Sequence, residues 1–188
     1  MVGRLGGVGV LWRKSLGNNI KLCGSDLDGR VVAIGIRNQG NMTLCFGVYF
    51  PYDDHSSEYL LRVDSVIGFI NSVCDRFSDC KMMLVGDFNF ECVSRCKGFV
   101  SFEKFAARCD LIVCDELDVN KVGYSYFHES LNHRSLIDHV FVPSSLKACV
   151  SKYCILDEGE NNSDHLPIVF VLGCTLSGVM GSSRNVDK

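Results

Sequence analysis

A short apolar run, residues 82–85, leads into Gly86-Asp87-Phe88-Asn89 and constrains the fold more than any other stretch of the chain. An apolar run of this length followed by turn residues predicts a strand buried inside a sheet. Residues two apart share one face of a strand, so the carboxylate of Asp87 and the carboxamide of Asn89 would lie together at one rim of the sheet. Such strand ends also occur in purely structural positions, so this stretch alone does not establish a catalytic site.

Composition predicts one domain with a substantial core. The chain has 188 residues, of which 47% are hydrophobic, enough to bury a single core. The formal net charge of -3 argues against binding to nucleic acid by bulk charge. An enzyme that uses a metal ion can still act on phosphates, because the ion supplies positive charge locally.

Cysteine usage and hydropathy bear on the compartment. The 11 cysteines are scattered and lack the Cys-x2-Cys spacing of zinc sites. We interpret them as small buried residues and exposed thiols in a reducing compartment. The sequence shows no secretory leader and no segment of membrane-spanning length, so we expect an intracellular protein that has no membrane partner. It would be nuclear if it acts on chromosomal DNA.

The order of periodic segments predicts a mixed sheet with helices outside it. Strands are predicted at residues 6–12, 31–37, 42–50, 82–85, 111–114, 124–127, 136–142 and 166–172, with a turn region at 16–29 and a hairpin loop at 38–41. One helix is predicted over 60–77, capped by Asp54 or Ser56, and a second from Ser101 to Cys109. Residues 144–146 predict a helical turn. Residues 1–173 would form the domain, and the Gly/Ser-rich residues 174–188 a disordered tail.

Two further polar clusters adjoin predicted strands. Asp138 stands at the entrance of the strand at 136–142, where its alternative role is structural, capping a turn or pairing with Arg134. Asp164 and His165 stand side by side before the strand at 166–172. A histidine held by a carboxylate keeps a fixed tautomer and can contact a phosphoryl group or transfer protons.

The three clusters together resemble the ordered signature of a known superfamily. Gly86-Asp87-Phe88-Asn89, Ile137-Asp138-His139 and Ser163-Asp164-His165-Leu166-Pro167-Ile168 are similar to motifs of the endonuclease/exonuclease/phosphatase (DNase I-like) superfamily. It includes pancreatic DNase, abasic-site endonucleases and the endonuclease domains of non-LTR retrotransposons. Residues 7–11 resemble its Gly-Gly-Val-Gly strand, and residues 48–51 its tyrosine-bearing strand end. The similarity covers residues 6–172 and is closest to the retrotransposon endonucleases.

The resemblance implies an α+β fold and a hydrolytic function. The fold would be a four-layer α/β/β/α sandwich of two mixed sheets. The activity would be magnesium- or manganese-dependent phosphodiester hydrolysis that nicks DNA, and in an intact element a reverse transcriptase would follow on the same polypeptide. Hard oxygen ligands suit magnesium, which neutralises charge on phosphoryl oxygens.

The resemblance also implies a role for each site residue. Asp87 would orient or deprotonate the attacking water, and Asn89 would hydrogen-bond the scissile phosphate. His165, oriented by Asp138, would stabilise charge on the phosphate. The remaining implied roles are metal binding by Asp164 with Asp87, and contact with the phosphate or leaving oxygen by Tyr49.

The sequence departs from the family pattern at its start. The family places a strand with an Asn motif, a helix and a strand ending in a metal-binding Glu before the Gly-Gly-Val-Gly strand, and no positions here match them. Glu58, Glu91 and Glu103 fall in the wrong order to replace that Glu. We therefore expect an N-terminally incomplete domain that has an unpaired sheet edge, binds metal weakly and has little or no nuclease activity.

Two alternatives remain open from the sequence. One is an enzyme of the same fold that acts on another phosphoester, and the other is a non-catalytic remnant of a mobile element. Four basic residues near the loop after Asn89 could meet DNA phosphates, namely Arg95, Lys97, Lys104 and Arg108. A solvated loop and helix face is the simpler interpretation of these residues. We interpret His55, His128, His133 and His139 as surface or packing residues. His128 and His133 flank a loop before Asp138, so a minor substrate contact stays open for these two.

Overall fold

The computed structural model describes residues 7–38, 40–77 and 80–173. Its strands are β1 (Ile20–Ser25), β2 (Val31–Asn38), β3 (Asn41–Tyr49), β4 (Lys81–Asp87), β5 (Leu111–Val113), β6 (Tyr126–His128), β7 (His133–Ser135), β8 (Asp138–Pro143), β9 (Val150–Ile155) and β10 (Ile168–Leu172). Its two α-helices are α1 (Tyr59–Cys74) and α2 (Lys97–Arg108). Within these residues no helix has the length and apolarity needed to cross a membrane. The expected tail at 174–188 lies outside the described residues.

A large mixed sheet forms the centre of the fold. Its strand order is β1-β2-β3-β4-β8-β5, in which β3 and β4 run parallel and the other neighbours antiparallel. Parallel neighbours need a crossover, and α1 supplies it between β3 and β4. Two antiparallel pairs, β9–β10 and β6–β7, complete the strands. The predicted α+β class is confirmed, and the architecture is consistent with a DNase I-like fold.

The two faces of the large sheet bury different cores, because side chains alternate along each strand. On one face Met82 and Leu84 of β4 pack in the core that α1 and α2 cover. On the other face Met83 joins Tyr153 and Ile155 of β9 in a smaller core beneath the two-stranded sheet. The described residues therefore provide a helical layer, the large sheet and a second sheet in that order.

Aromatic rings fill the helix-side core near the end of β4. Phe50 and Phe88 stack with ring centroids 5.1 Å apart, and Phe102 of α2 meets both rings edge-on. Burying three such rings contributes several kcal/mol to the free energy of folding, on the order of 2 kcal/mol for each ring. This cluster fixes the position of the turn that follows Asp87.

Several strands differ from the sequence-based prediction, among them β7, which was not predicted. Residues 7–13 are not a strand, and the backbone N–H of Val8 donates to the carbonyl oxygen of Gly29 at 2.9 Å. Conversely, β1 lies inside the predicted turn region. It is an edge strand that buries only Cys23, so its sequence lacks the apolar alternation that marks a strand. β9 was also missed, because Ser151 and Lys152 interrupt its apolar pattern.

Helix starts were also predicted incorrectly. The carboxylate of Asp54 accepts from the backbone N–H of Ser56 and from Arg62, and neither predicted residue caps α1. α2 begins at Lys97, and the Cys96 sulfur accepts from the backbone N–H of Phe99 at 3.4 Å. Ser101 lies inside that helix, where its hydroxyl donates to Asp64 instead. The hairpin between β2 and β3 and the helical turn at Ser144–Cys149 are confirmed.

Candidate active site

Three strand ends converge at Asp87, the last residue of β4. Asp87 pairs with Tyr49 of β3 in the parallel register and with Asp138 of β8 in the antiparallel register. Residues paired across a ladder direct their side chains to the same face of a sheet. The topology therefore brings together groups from three distant parts of the sequence.

The turn after β4 holds the Asp87 carboxylate. Asn89 adopts a left-handed backbone conformation with φ 52°, which asparagine tolerates better than most residues. Its backbone N–H donates to Asp87 Oδ1 at 2.8 Å. Its Nδ2 donates to the carbonyl oxygen of Phe50 at 2.9 Å and to Asp87 Oδ2 at 3.3 Å. Through these three hydrogen bonds Asn89 orients the Asp87 carboxylate and connects it to the end of β3.

His165 and Asp138 form the second half of the site. His165 Nδ1 lies 2.8 Å from Asp138 Oδ2, and both side chains are partly buried. The His165 ring packs against Tyr126, with centroids 5.0 Å apart. The Ser163 hydroxyl accepts from the His165 backbone N–H at 3.1 Å. Among the described residues the Nε2 atom of the ring has no hydrogen-bond partner, so that edge could meet a substrate.

Ser125 supports Asp138, and sequence reasoning missed it. Its buried hydroxyl oxygen accepts from the backbone N–H groups of Ile137 and Asp138, at 3.1 and 3.0 Å. These two bonds satisfy the backbone where β8 begins and restrain the backbone from which the Asp138 side chain projects. Nothing in the local sequence distinguishes this serine from an ordinary loop residue.

The electrostatics couple the two halves. Burial, followed by the nearby Asp138 carboxylate, raises the pKa of Asp87 to about 6. The hydrogen bond to Asp138 raises the pKa of His165 above its ordinary value and outweighs the opposing effect of burial. One ligand atom from each of Asp87, Asp138 and His165 lies within 4.8 Å of the others. Two carboxylates and an imidazole could hold a divalent cation, which would relieve the repulsion between the carboxylates.

Two predicted site residues lie at the margin of this group. Tyr49 is partly buried beside Asp87, and the Arg30 guanidinium lies 5.3 Å from its ring centroid and donates to its carbonyl oxygen. Asp164 is exposed and lies outside the group of three possible ligands. It lines an open cavity of about 550 Å³ together with Tyr126 and His128.

Other polar residues take structural positions. Arg134 packs over the rings of Tyr124 and Phe127, at 4.7 and 5.2 Å, and does not take the alternative role of pairing with Asp138. The four basic residues near the loop after Asn89 are all exposed on that loop and on α2: Arg95, Lys97, Lys104 and Arg108. Among the remaining histidines, His55 and His133 are exposed, His128 is partly buried and His139 is fully buried.

Comparison with known proteins bears on the fold that carries this site. No protein-family model and no curated protein match the sequence. Among solved structures, the endonuclease domain of TRAS1, a telomere-specific non-LTR retrotransposon, is similar with a TM-score of 0.58 at 17% identity, covering 77% of this chain and 62% of that one. AP endonuclease LMAP from Leishmania major is similar with a TM-score of 0.63 at 17% identity, covering 79% and 56%.

A third similar structure is 3' phosphatase NExo from Neisseria bound to product DNA hairpin. Its TM-score is 0.61 at 15% identity, and the match covers 82% of this chain and 70% of that one. These proteins share the endonuclease/exonuclease/phosphatase fold, and identities this low establish the fold alone. The fold expected from the three sequence clusters is therefore confirmed, and the convergent strand ends above are the candidate site within it.

Proposed function

We propose that this chain is a metal-dependent phosphodiesterase of the retrotransposon-endonuclease type that nicks DNA. The observation that carries the proposal is the hydrogen-bonded pair of Asp138 and His165 beside the Asp87 carboxylate, at the strand ends of a DNase I-like fold. Such a pair can hold a phosphoryl group on one side while a carboxylate acts on water at the other. If the enzyme belongs to an intact element, a reverse transcriptase would share its polypeptide and chromosomal DNA in the nucleus would be its substrate.

The proposal assigns a part to each residue of the site. Asp87, held by two hydrogen bonds from Asn89, would orient and deprotonate the attacking water. His165, directed by Asp138, would donate through its free ring edge to a phosphoryl oxygen. The Asn89 amide is committed to Phe50 and Asp87, so a contact between Asn89 and the phosphate would require that carboxamide to turn.

The remaining two residues would act at the edges. Tyr49, next to Asp87 in the sheet, would contact the phosphate or the leaving oxygen. Asp87 would hold magnesium or manganese, and Asp164 would be a second, more distant ligand. The ion would lie near Asp138 and His165 and would neutralise charge on the phosphate. In its role as donor to the phosphate, His165 carries a proton on each ring nitrogen and cannot also be a ligand, so few oxygen ligands remain for the ion and we expect weak metal affinity and slow cleavage.

A supercoiled-plasmid nicking assay with excess protein tests the proposal. We expect slow conversion to nicked circles in millimolar magnesium or manganese, blocked by chelation. Asp87→Ala and His165→Ala should each reduce the rate by about 100-fold or more. His55→Ala is the matched control, because the His55 side chain is exposed and lies 3.7 Å from Asp53, which is not a candidate site residue, and it should retain the rate.

Two outcomes would contradict the proposal. Nicking that persists in both variants would assign the activity to a contaminant or to another site. Cleavage of a soluble phosphomonoester or a phosphoinositide without any DNA nicking would retain the site and change its substrate.

A further inference from the structure

A second cluster of chemically reactive side chains lies behind the candidate active site. His139 follows Asp138 on β8, and adjacent residues of a strand point to opposite faces, so the two side chains serve different surroundings. His139 is 1% exposed and packs against Phe88 and Phe90. Cys92, from the loop before α2, and Asp115, from the turn after β5, converge on it.

The hydrogen bonds around His139 are specific. Its Nε2 lies 2.9 Å from the carbonyl oxygen of Phe90, and its Nδ1 lies 2.7 Å from Asp115 Oδ2. The Tyr153 hydroxyl donates to the other Asp115 oxygen at 3.2 Å. One ligand atom each from Cys92, Asp115 and His139 lies within 4.8 Å of the others.

We propose that Cys92, Asp115 and His139 form a binding site for zinc or a similar thiophilic divalent cation, separate from the phosphodiester site. A metal-ligating histidine almost always donates its second ring N–H to a carboxylate, a backbone carbonyl or water, which fixes the tautomer. The Nε2 contact with Phe90 is of this kind and leaves Nδ1 as the ligand. The metal would take the place of the proton between Nδ1 and Asp115, and Tyr153 would orient the ligating carboxylate.

Charge and ligand type favour zinc at this site. A thiolate, a carboxylate and a neutral imidazole balance the two positive charges of zinc, so the bound site is neutral in a buried setting. Sulfur and imidazole ligands select zinc over magnesium, whereas the site around Asp87 offers mainly oxygen. The two sites would therefore take different ions.

Two cavities border the cluster, one at Cys92 and one at Asp115. Cys92 lines a largely apolar cavity of about 250 Å³ beneath α2, and Asp115 lines another of about 310 Å³. Either cavity is large enough to admit a water as the fourth ligand, since a water occupies about 30 Å³. The site is thus three protein ligands with one open position, a common arrangement for zinc.

Cobalt titration of the metal-free chain tests the site without relying on activity. Cobalt bound by a thiolate gives a near-ultraviolet sulfur-to-metal charge-transfer band. We expect this band to saturate at one equivalent and to disappear when zinc displaces the cobalt. Cys92→Ser should abolish the band, and Tyr153→Phe should weaken cobalt binding by about 10-fold.

Cys96→Ser is the matched control. Cys96 is a nearby thiol that caps α2, and serine preserves the capping group, so the band should remain. Circular dichroism of each variant separates loss of binding from loss of fold, and Asp115→Asn supplies a second ligand variant that should weaken binding if Cys92→Ser does not fold. A band that survives in Cys92→Ser, a folded wild type with no band, or a titration abolished only by Asp87→Asn would overturn the proposal.

Discussion

Asp87 and Asp138 stand directly opposite each other across the antiparallel ladder of β4 and β8. Directly opposed residues have Cβ atoms about 5 Å apart, and like charges at that distance destabilise the sheet. The repulsion between the two carboxylates occurs at a strand end, where His165 hydrogen-bonds Asp138 and Asn89 hydrogen-bonds Asp87. Each carboxylate thus has its own donor.

The first prediction concerns stability in metal-free buffer. The folded state raises the pKa of Asp87 from 3.8 to about 6, so folded protein holds that proton more tightly than unfolded protein does. The free energy of unfolding should therefore fall as pH rises from about 4 through about 6. Asp87→Asn removes this loss and should be more stable than wild type by about 1–2 kcal/mol at pH 8, with little difference at pH 4.

Urea unfolding at the two pH values, with a chelator present, measures this difference. Asp53→Asn is the control, because Asp53 lies outside the strand ends. Equal stabilisation of Asp87→Asn at both pH values would show that burial and repulsion of the charge are not the cause.

The second prediction concerns the pH dependence of cleavage. A base that requires ionised Asp87 and an acid that requires protonated His165 give a bell-shaped profile. The acidic limb should fall at or below about pH 6, since a bound cation lowers the pKa of Asp87, and the alkaline limb should lie above the ordinary histidine value because Asp138 raises the pKa of His165. Asp138→Asn should move the alkaline limb to lower pH. Single-turnover rates across the range measure this shift, and an unmoved limb would contradict the acid role of His165.

The third prediction concerns Gly86. Its φ is 146°, and a Cβ there would collide with the backbone carbonyl oxygen of Val48 on the neighbouring strand. Backbone atoms in a paired sheet cannot move aside, so Gly86→Ala should lower the free energy of unfolding by about 3 kcal/mol or more. Gly68→Ala is the matched control, because Gly68 is exposed on α1 with open space around it, and it should be neutral or stabilising by up to about 1 kcal/mol. Denaturant midpoints compare the two, and equal effects would refute the clash.

The fourth prediction concerns Ser125. Ser125→Ala leaves the buried N–H groups of Ile137 and Asp138 without their acceptor and should cost about 1–3 kcal/mol of stability. Because Asp138 then loses its fixed direction, cleavage by the folded variant should slow as well. Ser72→Ala, which removes only an exposed hydroxyl bond on α1, should change neither quantity. A folded Ser125→Ala variant with full activity would show that the serine only supports the backbone.

The strand ends that carry polar residues were predictable from sequence. Asp87 follows a short continuous apolar run, and this run with the turn residues after it correctly predicts a buried strand. Asp138 opens β8 as predicted, and β10 follows the Asp164-His165 pair. At these positions the apolar residues of a buried strand and the polar residues of the site are neighbours in the sequence, so the local pattern reveals both.

Features that depend on tertiary contact were not predictable. β1 and β9 carry polar residues where they meet solvent, so neither shows clear alternation. Ser125 and Tyr153 acquire their roles from partners distant in sequence. The spacing of cysteines could not reveal that Cys92 lies beside His139, because the fold brings these two side chains together from separate elements.

The order of the chain also decides when the site can exist. Asp87 and Asn89 precede His165 by most of the second half of the sequence, and His165 follows Asp138 by 27 positions. During synthesis the carboxylates leave the ribosome well before the imidazole, and the strand after His165 must pair with β9 before the ring is held in place. On the proposed function, a nascent or prematurely terminated chain is harmless to DNA, and nuclease competence arises only after nearly the whole domain has been translated.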